Sequence, residues 1–382
     1  MLTYRPVVTR CTKLLTSQRR FFNSGKKPIA FVFDIDGVLV RGSKPIPQAR
    51  PALELLNKSK VPYILLTNGG GYTEQKRIDF LSSKIGIPLS PLQLVQSHTP
   101  MKALVNKYKR VMVVGGPDDL PRKCAQYYGF KDVIMPIDLV RQDPSISPHH
   151  RFTEFELENF AIPPSQLNLD VPVEAVLMFS DPRDMGTDMQ VILDLLNSEG
   201  GKIGTKRSVL SKNVEDLSKP SIPMIFSNND FLWANDYPLS RFGQGAVRMM
   251  VETLYAGINK GAKLESTIMG KPFKVSYDYA HNVLIDWKNK IDQGKTSDQD
   301  QILPELYASP SNSPFEKIYM VGDNPASDIK GANDNGWESL LLRTGVFKDE
   351  DWETAVAHPT AGLFDNVHDA VQFALNQNGY NT

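Results

Sequence analysis

The sequence predicts an α/β fold built around buried parallel sheet. Two observations predict it: short, continuous apolar runs that read as strands covered on both faces, and helical patterns that alternate with those runs. A length of 382 residues exceeds one ordinary domain and fits two.

The first strand is IAFVF (29–33), followed at once by DIDG (34–37). VPYILLTN (61–68) is next, and a helix is expected from about Thr73 to Lys84. RVMVVGG (110–116) precedes a second helix, from about Leu120 to Tyr128. Five more strands follow: EAVLMFSD (174–181), IPMIFSNND (222–230), STIMGKP (266–272), KIYMVGDN (317–324) and WESLLLRTG (337–345). Three polar stretches, 137–172, 204–220 and 288–314, interrupt the pattern and read as surface insertions. The adjacent His149 and His150 fall in the first of these, where a solvated pair is expected over a metal site. No fixed-period repeat is visible.

Hydrophobic residues make up 41% of the chain and charged residues 23%, a globular composition. The formal net charge is zero, but it is unevenly distributed. Residues 1–27 carry Arg5, Arg10, Lys13, Arg19, Arg20, Lys26 and Lys27 without an acid, leaving 36 basic and 43 acidic residues in the rest. A body of about −7 has no basic face for nucleic acid, so no nucleic-acid partner is expected. The segment 1–27 is rich in Arg, Ser and Thr and has the composition of a mitochondrial presequence. No run approaches the ~20 apolar residues of a membrane span, so a soluble mitochondrial protein, most simply of the matrix, is expected. Cys11 lies in the presequence, and Cys124 alone can form neither an internal disulfide nor a cysteine-based zinc site.

Four polar groups stand at strand ends, where open α/β sheets bind ligands: DIDG (34–37), TNGGG (67–71), GKP (270–272) and GDNPASD (322–328). Each has a bland reading as a turn, a helix cap (Thr67 for the helix after TNGGG) or a surface lysine. DIDG does not continue as a calcium loop, because Val38 and Leu39 stand where further ligands would be needed. Taken together, the groups make sense as phosphoryl-transfer chemistry. Asp34, Asp36, Asp323 and Asp328 would gather oxygen ligands around a hard divalent cation, Mg²⁺, which offsets like charges that otherwise repel. A carboxylate can also act as a nucleophile, and a lysine ammonium together with the cation would reduce its repulsion by a phosphate dianion. Thr67 and Asn68 can bond phosphate oxygens, as can backbone N–H groups at the glycine-rich turns, Gly37 and Gly69 among them. Asp36 is then free for proton transfer.

With these motifs, DIDG, ILLTN, MGKP and VGDNPASDI, the chain resembles the haloacid dehalogenase superfamily over nearly all residues after about 28. The resemblance implies a Rossmann-like, doubly wound core formed by 28–99 and 266–382, with a large α/β cap of the C2 type inserted as 100–265. GDNPASDIKGANDNGW followed by LLLRTGV looks like the subfamily with a type IIA cap. TNGGG and QSHTP (96–100) look most like its mitochondrial cat eye syndrome critical region group. The resemblance implies that Asp34 is nucleophile and metal ligand, and that Asp36 is general acid/base with its backbone carbonyl on the metal. It further implies that Thr67 binds phosphate, that Lys271 neutralises Asp34 and phosphate, and that Asp323 and Asp328 hold Mg²⁺. It places Asp230 in substrate recognition and suggests a homodimer through the cap. Gly69, Gly70 and Gly71 depart from the subfamily, whose members usually carry Asn and a hydroxyl or Pro there, so recognition at this loop must differ.

Within the cap, Arg183 is expected to pair with Asp181 or Asp184 rather than with a second anionic group of the substrate. Phe231 and Trp233 are expected to pack inside rather than stack on a leaving group. The function expected is a Mg²⁺-dependent phosphatase of a small phosphorylated metabolite, acting through an aspartyl-phosphate. A phosphotransferase and a non-catalytic binding protein on the same scaffold remain open.

Overall fold

A computed structural model describes residues 27–209, 213–233, 237, 239, 241–296 and 303–380. The presequence reading therefore lies outside the described residues, apart from Lys27. The architecture is α/β, as the alternation of apolar runs and helices predicts.

The first sheet has six strands, all parallel, in the spatial order Gly362–Phe364, Glu338–Leu342, Lys317–Gly322, Ile29–Phe33, Tyr63–Leu66, Leu94–Val95. The chain enters at the centre, builds outward to Leu94–Val95, and returns on the other side of its first strand at Lys317–Gly322. The order thus reverses between Ile29–Phe33 and Lys317–Gly322, which pair in register from Ile29 with Lys317 to Phe33 with Val321. A reversal of this kind opens a crevice at the carboxyl ends of the two strands. Asp34 and Asp323 follow those two ends directly.

Both faces of this sheet are covered, which accounts for its continuous apolar runs. Phe31 and Phe33 point into a cluster with Leu53, Leu56, Val371 and Leu375, from the helices Ala49–Ser59 and Val367–Gln377. Ala30 and Val32 point the other way, onto Tyr277, Ala280 and Leu284 of the helix Lys274–Gln293. Alternation along a strand assigns successive side chains to opposite faces, and here both faces are core.

A second sheet, also parallel, has five strands in the order Thr267–Ile268, Met224–Phe226, Ala175–Met178, Arg110–Val114, Asp132–Ile134. Its edge strand, Thr267–Ile268, lies just past the cap boundary expected at 265 and runs straight into Gly270 and Lys271. The helix Leu120–Tyr128 packs on one face with Val111, Val113 and Leu177, while the helices Met185–Leu196 and Gln244–Ile258 pack on the other with Met112, Met178 and Phe226.

The polar stretch 137–172 is not simply a surface insertion. The helix Pro136–Gln142 buries Ile137, Leu139 and Val140. Its Asp138 receives both terminal nitrogens of Arg122, at 3.0 and 2.8 Å, and the amides of Met135 and Ile162. A fully bonded ion pair is how a proline-rich, polar segment can wrap into a core. Likewise 204–220 buries Arg207 and Leu217. His149 is exposed, and His150 lies half-buried against Phe152 with Nδ1 3.5 Å from Asp184.

Candidate active site at the strand ends

Lys271 is the centre of the site. Its side chain is 2% exposed, and its Nζ lies 2.5 Å from Asp34 Oδ1 and 2.6 Å from Asp328 Oδ1. Burial alone would disfavour an ammonium, but Asp328 and Asp34 hold its pKa above the ordinary lysine value.

Asp323 joins these groups. Carboxylate oxygens of Asp34, Asp323 and Asp328 all lie within 4.8 Å of one another. Burial and the two neighbouring carboxylates push Asp323 well above the ordinary range, and burial pushes Asp328 to about 6 against the pull of Lys271. Three buried carboxylates against one ammonium leave an uncompensated negative charge. That set of hard oxygen donors, too close together to remain ionised alone, fits a divalent cation such as Mg²⁺.

The local backbone shapes this cluster. Asp34 N–H donates to Val321 O at 2.9 Å, tying the two strand ends together. Asp328 Oδ2 accepts from the amides of Asp323 and Asn324, at 3.1 and 3.0 Å. Asp323 Oδ2 accepts from Val346 N–H at 2.6 Å. A Cβ on Gly345 would stand 1.8 Å from Asp323 Oδ2, and one on Gly37 (φ +88°) would stand 2.4 Å from it. Glycine is therefore needed at both positions, for the close approach and, at Gly37, for the backbone conformation as well. Gly37 thus borders Asp323, and its carbonyl accepts from Thr344 Oγ1 at 2.5 Å.

Asp36 points elsewhere. Its Oδ2 pairs with Arg77 at 3.1 Å, and about half of its side chain (53%) remains exposed. Enclosure by surrounding protein raises its pKa, with Arg77 opposing. No side-chain contact joins Asp36 to the three clustered carboxylates.

Thr67 is buried at the end of Tyr63–Leu66, one strand from Asp34, because Phe33 pairs with Leu65. Its Oγ1 accepts from Gly69 N–H at 3.0 Å, which leaves the hydroxyl hydrogen available to an acceptor in the crevice. A Cβ on Gly69 would stand 3.3 Å from Thr67 Oγ1 and 3.7 Å from Asp36 Oδ2, so that position adjoins both groups. The helix after this loop is capped by Thr73, whose Oγ1 accepts from Lys76 N–H, and not by Thr67.

The Asn68 side chain is already fully engaged. Its Oδ1 accepts from Lys271 N–H at 2.7 Å, and its Nδ2 donates to Lys271 O and to Asp230 Oδ1, each at 3.0 Å. Asn68 therefore aligns the Lys271 backbone and fastens Asp230, leaving no side-chain donor free for phosphate. Asp230 is pushed to about 6 by burial, although Asn68 and Lys271 favour its ionised form.

Arg183 donates to the Asp181 carbonyl at 3.0 Å, a local bond to backbone in place of the expected carboxylate pair. Phe231 and Trp233 are 48% and 44% exposed, against the expectation that they pack inside. They stand at a short hairpin, Leu232–Trp233 with Arg241–Phe242, that follows directly on Asp230.

Arg77, Gly345 and Val346 contribute to the site without having been given a role in the sequence, although Gly345 and Val346 fall in LLLRTGV, quoted for the resemblance. RTG after a strand carried some signal for Gly345. Arg77 sits among Lys76 and Lys84 on one helix, and nothing in the sequence separates it from them.

Residues 31–131 match the family described as haloacid dehalogenase-like hydrolase, and residues 268–370 match one described as HAD-hydrolase-like. A mitochondrial hydrolase of Saccharomyces cerevisiae is 47% identical over 365 residues, covering 94% of this chain and 99% of its own length. A fusion of cardiolipin synthase (CMP-forming) with a mitochondrial hydrolase, from Schizosaccharomyces pombe, is 38% identical over 93% of this chain, which spans 55% of that longer protein. The solved structure of a 4-nitrophenylphosphatase from Thermotoga maritima shares the fold with a TM-score of 0.55 at 16% identity, covering 91% of this chain and 97% of its own.

Proposed function

We propose, from the premise that this chain belongs to the haloacid dehalogenase-like hydrolase family, that it is a Mg²⁺-dependent phosphatase of a small phosphorylated metabolite. The observation that carries this reading is the single buried ammonium of Lys271, shared by Asp34 and Asp328 beside Asp323.

In this reading Asp34 is the nucleophile. One carboxylate oxygen attacks phosphorus, the bond from phosphorus to the leaving oxygen breaks, and an aspartyl-phosphate forms on Asp34. Asp36, held outside the cluster by Arg77, gives its proton to the leaving alkoxide. It then takes a proton from the water that attacks the aspartyl-phosphate, and inorganic phosphate leaves. Lys271, bonded to Asp34, balances charge on the transferring group, while the Thr67 hydroxyl donates to a phosphate oxygen. Asp34, Asp323 and Asp328, with the Asp36 backbone carbonyl, would hold Mg²⁺, which supplies charge neutralisation of the phosphoryl oxygens.

The same reading places the protein in mitochondria, and in the matrix, from the basic segment 1–27 and the mitochondrial relatives. Among the described residues no helix is long and apolar enough to cross a membrane. A homodimer through the second sheet's region belongs to this reading too. Exposed Phe231, Leu232, Trp233 and Phe242 offer apolar surface for it.

The test is phosphate release from a panel of phosphomonoesters by the protein and by Asp34→Asn, with Mg²⁺ and with chelator. A lipid phosphomonoester belongs in the panel, because one relative is joined to a cardiolipin synthase. Turnover that requires both Mg²⁺ and Asp34 is expected. A folded protein without it across the panel would favour a non-catalytic binding protein. Transfer to added glycerol in place of water would mark a phosphotransferase.

A further inference from the structure

The segment Gln96–Thr99 is nearly sealed from solvent, with exposures of 2, 2, 0 and 1% along its four residues. Each of them makes one bond to the loop that leads from Thr67 into the next helix, or to that helix's first residue. Gln96 Nε2 donates to Tyr72 O at 2.8 Å, and Ser97 N–H donates to Gly69 O at 3.4 Å. Gly71 N–H donates to His98 Nε2 at 3.1 Å, and Thr99 Oγ1 donates to Glu74 Oε1 at 2.7 Å. The loop is thereby gripped at positions 69, 71 and 72, two of them within the glycine run, and the helix that follows it at 74.

The grip at His98 continues through a chain of bonds that fixes its tautomer. Because Nε2 accepts from Gly71, the ring proton belongs on Nδ1, which lies 2.6 Å from Tyr128 Oη. Tyr128 in turn donates to Glu74 Oε1 at 2.8 Å. Glu74 opens the helix that follows the loop and is neutralised by Lys102 at 3.1 Å. The bonds therefore run from the loop to His98, to Tyr128 on the helix Leu120–Tyr128, and back to the loop's own helix.

Gly70 fits the same arrangement. A Cβ there would stand 2.7 Å from His98 Cδ2, 2.9 Å from Ser97 Oγ and 3.1 Å from Phe179 O. The absence of a side chain at 70 is what lets the grip close so tightly. The bond from Gly69 N–H to Thr67 Oγ1 then passes the position of the gripped loop to the hydroxyl that faces the crevice.

We propose that Gln96–Thr99 is a positioning clamp for the phosphate-binding loop, that His98 is its central residue, and that the clamp fixes the geometry which side chains at 69–71 do not provide. This rests on the phosphatase reading for its effect on turnover, but not for its geometry.

The test has two arms. Selective ¹⁵N labelling of the six histidines reads the protonation of each ring nitrogen by NMR. His98 should carry its proton on Nδ1 with Nε2 bare, and a proton on Nε2 overturns the clamp whether or not the protein turns over phosphate. In the kinetic arm, with 4-nitrophenyl phosphate as probe, His98→Gln can place its carbonyl oxygen near the position of Nε2 and keep the bond from Gly71. His98→Asn keeps only a group near Nδ1. His98→Gln should hold kcat within about threefold, while His98→Asn should lose roughly 10- to 100-fold in kcat with KM little changed. Asn as active as wild type, or Gln as impaired as Asn, overturns the clamp. If wild type shows no Asp34-dependent turnover, the phosphatase reading fails, and the NMR arm still decides the clamp. The same arm decides if either variant does not fold.

Discussion

Lys271 Nζ lies 2.5 Å from Asp34 Oδ1, although 237 positions separate the two residues in the chain. Asp34 ends the central strand of one sheet and Lys271 follows the edge strand of the other, so this bond joins the two sheets at the site. Replacing Lys271 by Met removes the ammonium and leaves Asp34, Asp323 and Asp328 buried against each other. Loss of one partner from a buried ion pair costs about 3–5 kcal/mol. Lys271→Met is therefore expected to unfold at markedly lower denaturant and to show no turnover. Denaturation midpoints with wild-type stability would mean the pair does not hold the site.

The three carboxylates predict a cation-dependent stability. A ligand that binds only the folded state stabilises it by mass action, about 2.7 kcal/mol at a hundred times its dissociation constant. Mg²⁺ is expected to raise the melting temperature of wild type, and Asp323→Asn should reduce that rise. Asp323→Asn also removes one of three repelling buried charges, so without Mg²⁺ it should melt no lower than wild type. Equal Mg²⁺ responses from both proteins would remove Asp323 from the cation site.

How much of this was legible in the sequence follows from where each residue's role is decided. Asp34, Asp323 and Lys271 stand at the ends of apolar strands, and strand ends are where α/β sheets bind ligands, so residue type and position sufficed to mark them as a group that the fold brings together. Arg77 and His98 owe their roles to partners far away in sequence, Asp36 and Gly71, that only the folded chain brings close. Asn68 was legible as a polar group at a strand end, but not the fact that Lys271 and Asp230 already use its amide. The segment 137–172 misled because its composition is that of a loop. It buries Ile137, Leu139 and Val140 and is tied in by an ion pair, Arg122 with Asp138, that spacing cannot reveal. Phe231 and Trp233 misled in the opposite sense, since aromatic residues are usually buried and here a short hairpin leaves them exposed.

Gly70 provides a steric prediction. An alanine there would bring its Cβ to 2.7 Å from His98 Cδ2 and 3.1 Å from the Phe179 carbonyl, one of them rigid backbone. Overpacking of this kind typically costs about 1–3 kcal/mol. Gly70→Ala should lose stability in that range and also lose turnover, because the loop that must shift carries Thr67. Gly200→Ala is a suitable contrast, as nothing stands within 4 Å of its added Cβ, although its φ of +62° is itself unfavourable for alanine. A Gly70→Ala protein with wild-type stability and kcat would contradict the packing of the loop.

His98 sets a pH dependence with a definite sign. Burial lowers its pKa from 6.5 to about 4, with Glu74 opposing and Lys102 assisting. Between those values the unfolded chain binds a proton that the folded chain does not, so stability falls as pH drops through 6.5 toward 4. The loss from this residue reaches about 3 kcal/mol at the acid end. Asp323 and Asp328, whose pKa values are raised on folding, contribute with the opposite sign. The informative quantity is therefore the difference between wild type and His98→Gln. Unfolding free energies at pH 7.5 and pH 5 should show a steeper acid loss in wild type, and parallel losses would refute the buried neutral imidazole.

Arg77 yields the last prediction. It stands on the first turns of the helix Glu74–Ile85, is 19% exposed, and holds Asp36 Oδ2 at 3.1 Å. Asp36 is 53% exposed, so the pair contributes little to stability, within about 1 kcal/mol. Its contribution is to geometry. With the carboxylate held toward Arg77, Asp36 stays apart from the three clustered carboxylates, as the proposed proton transfer to a leaving oxygen would require. Arg77→Ala frees that carboxylate to rotate, and a misplaced acid or base costs much of the roughly 10²- to 10⁴-fold such catalysis supplies. The expected result is a kcat about tenfold lower or more, with nearly unchanged melting temperature and a smaller change in KM. Arg77→Lys keeps the charge but not the planar fork, so it should fall between the two. A drop in melting temperature that accounts for the lost activity would instead make Arg77 a stabilising residue, and unchanged kcat would mean Asp36 needs no holding.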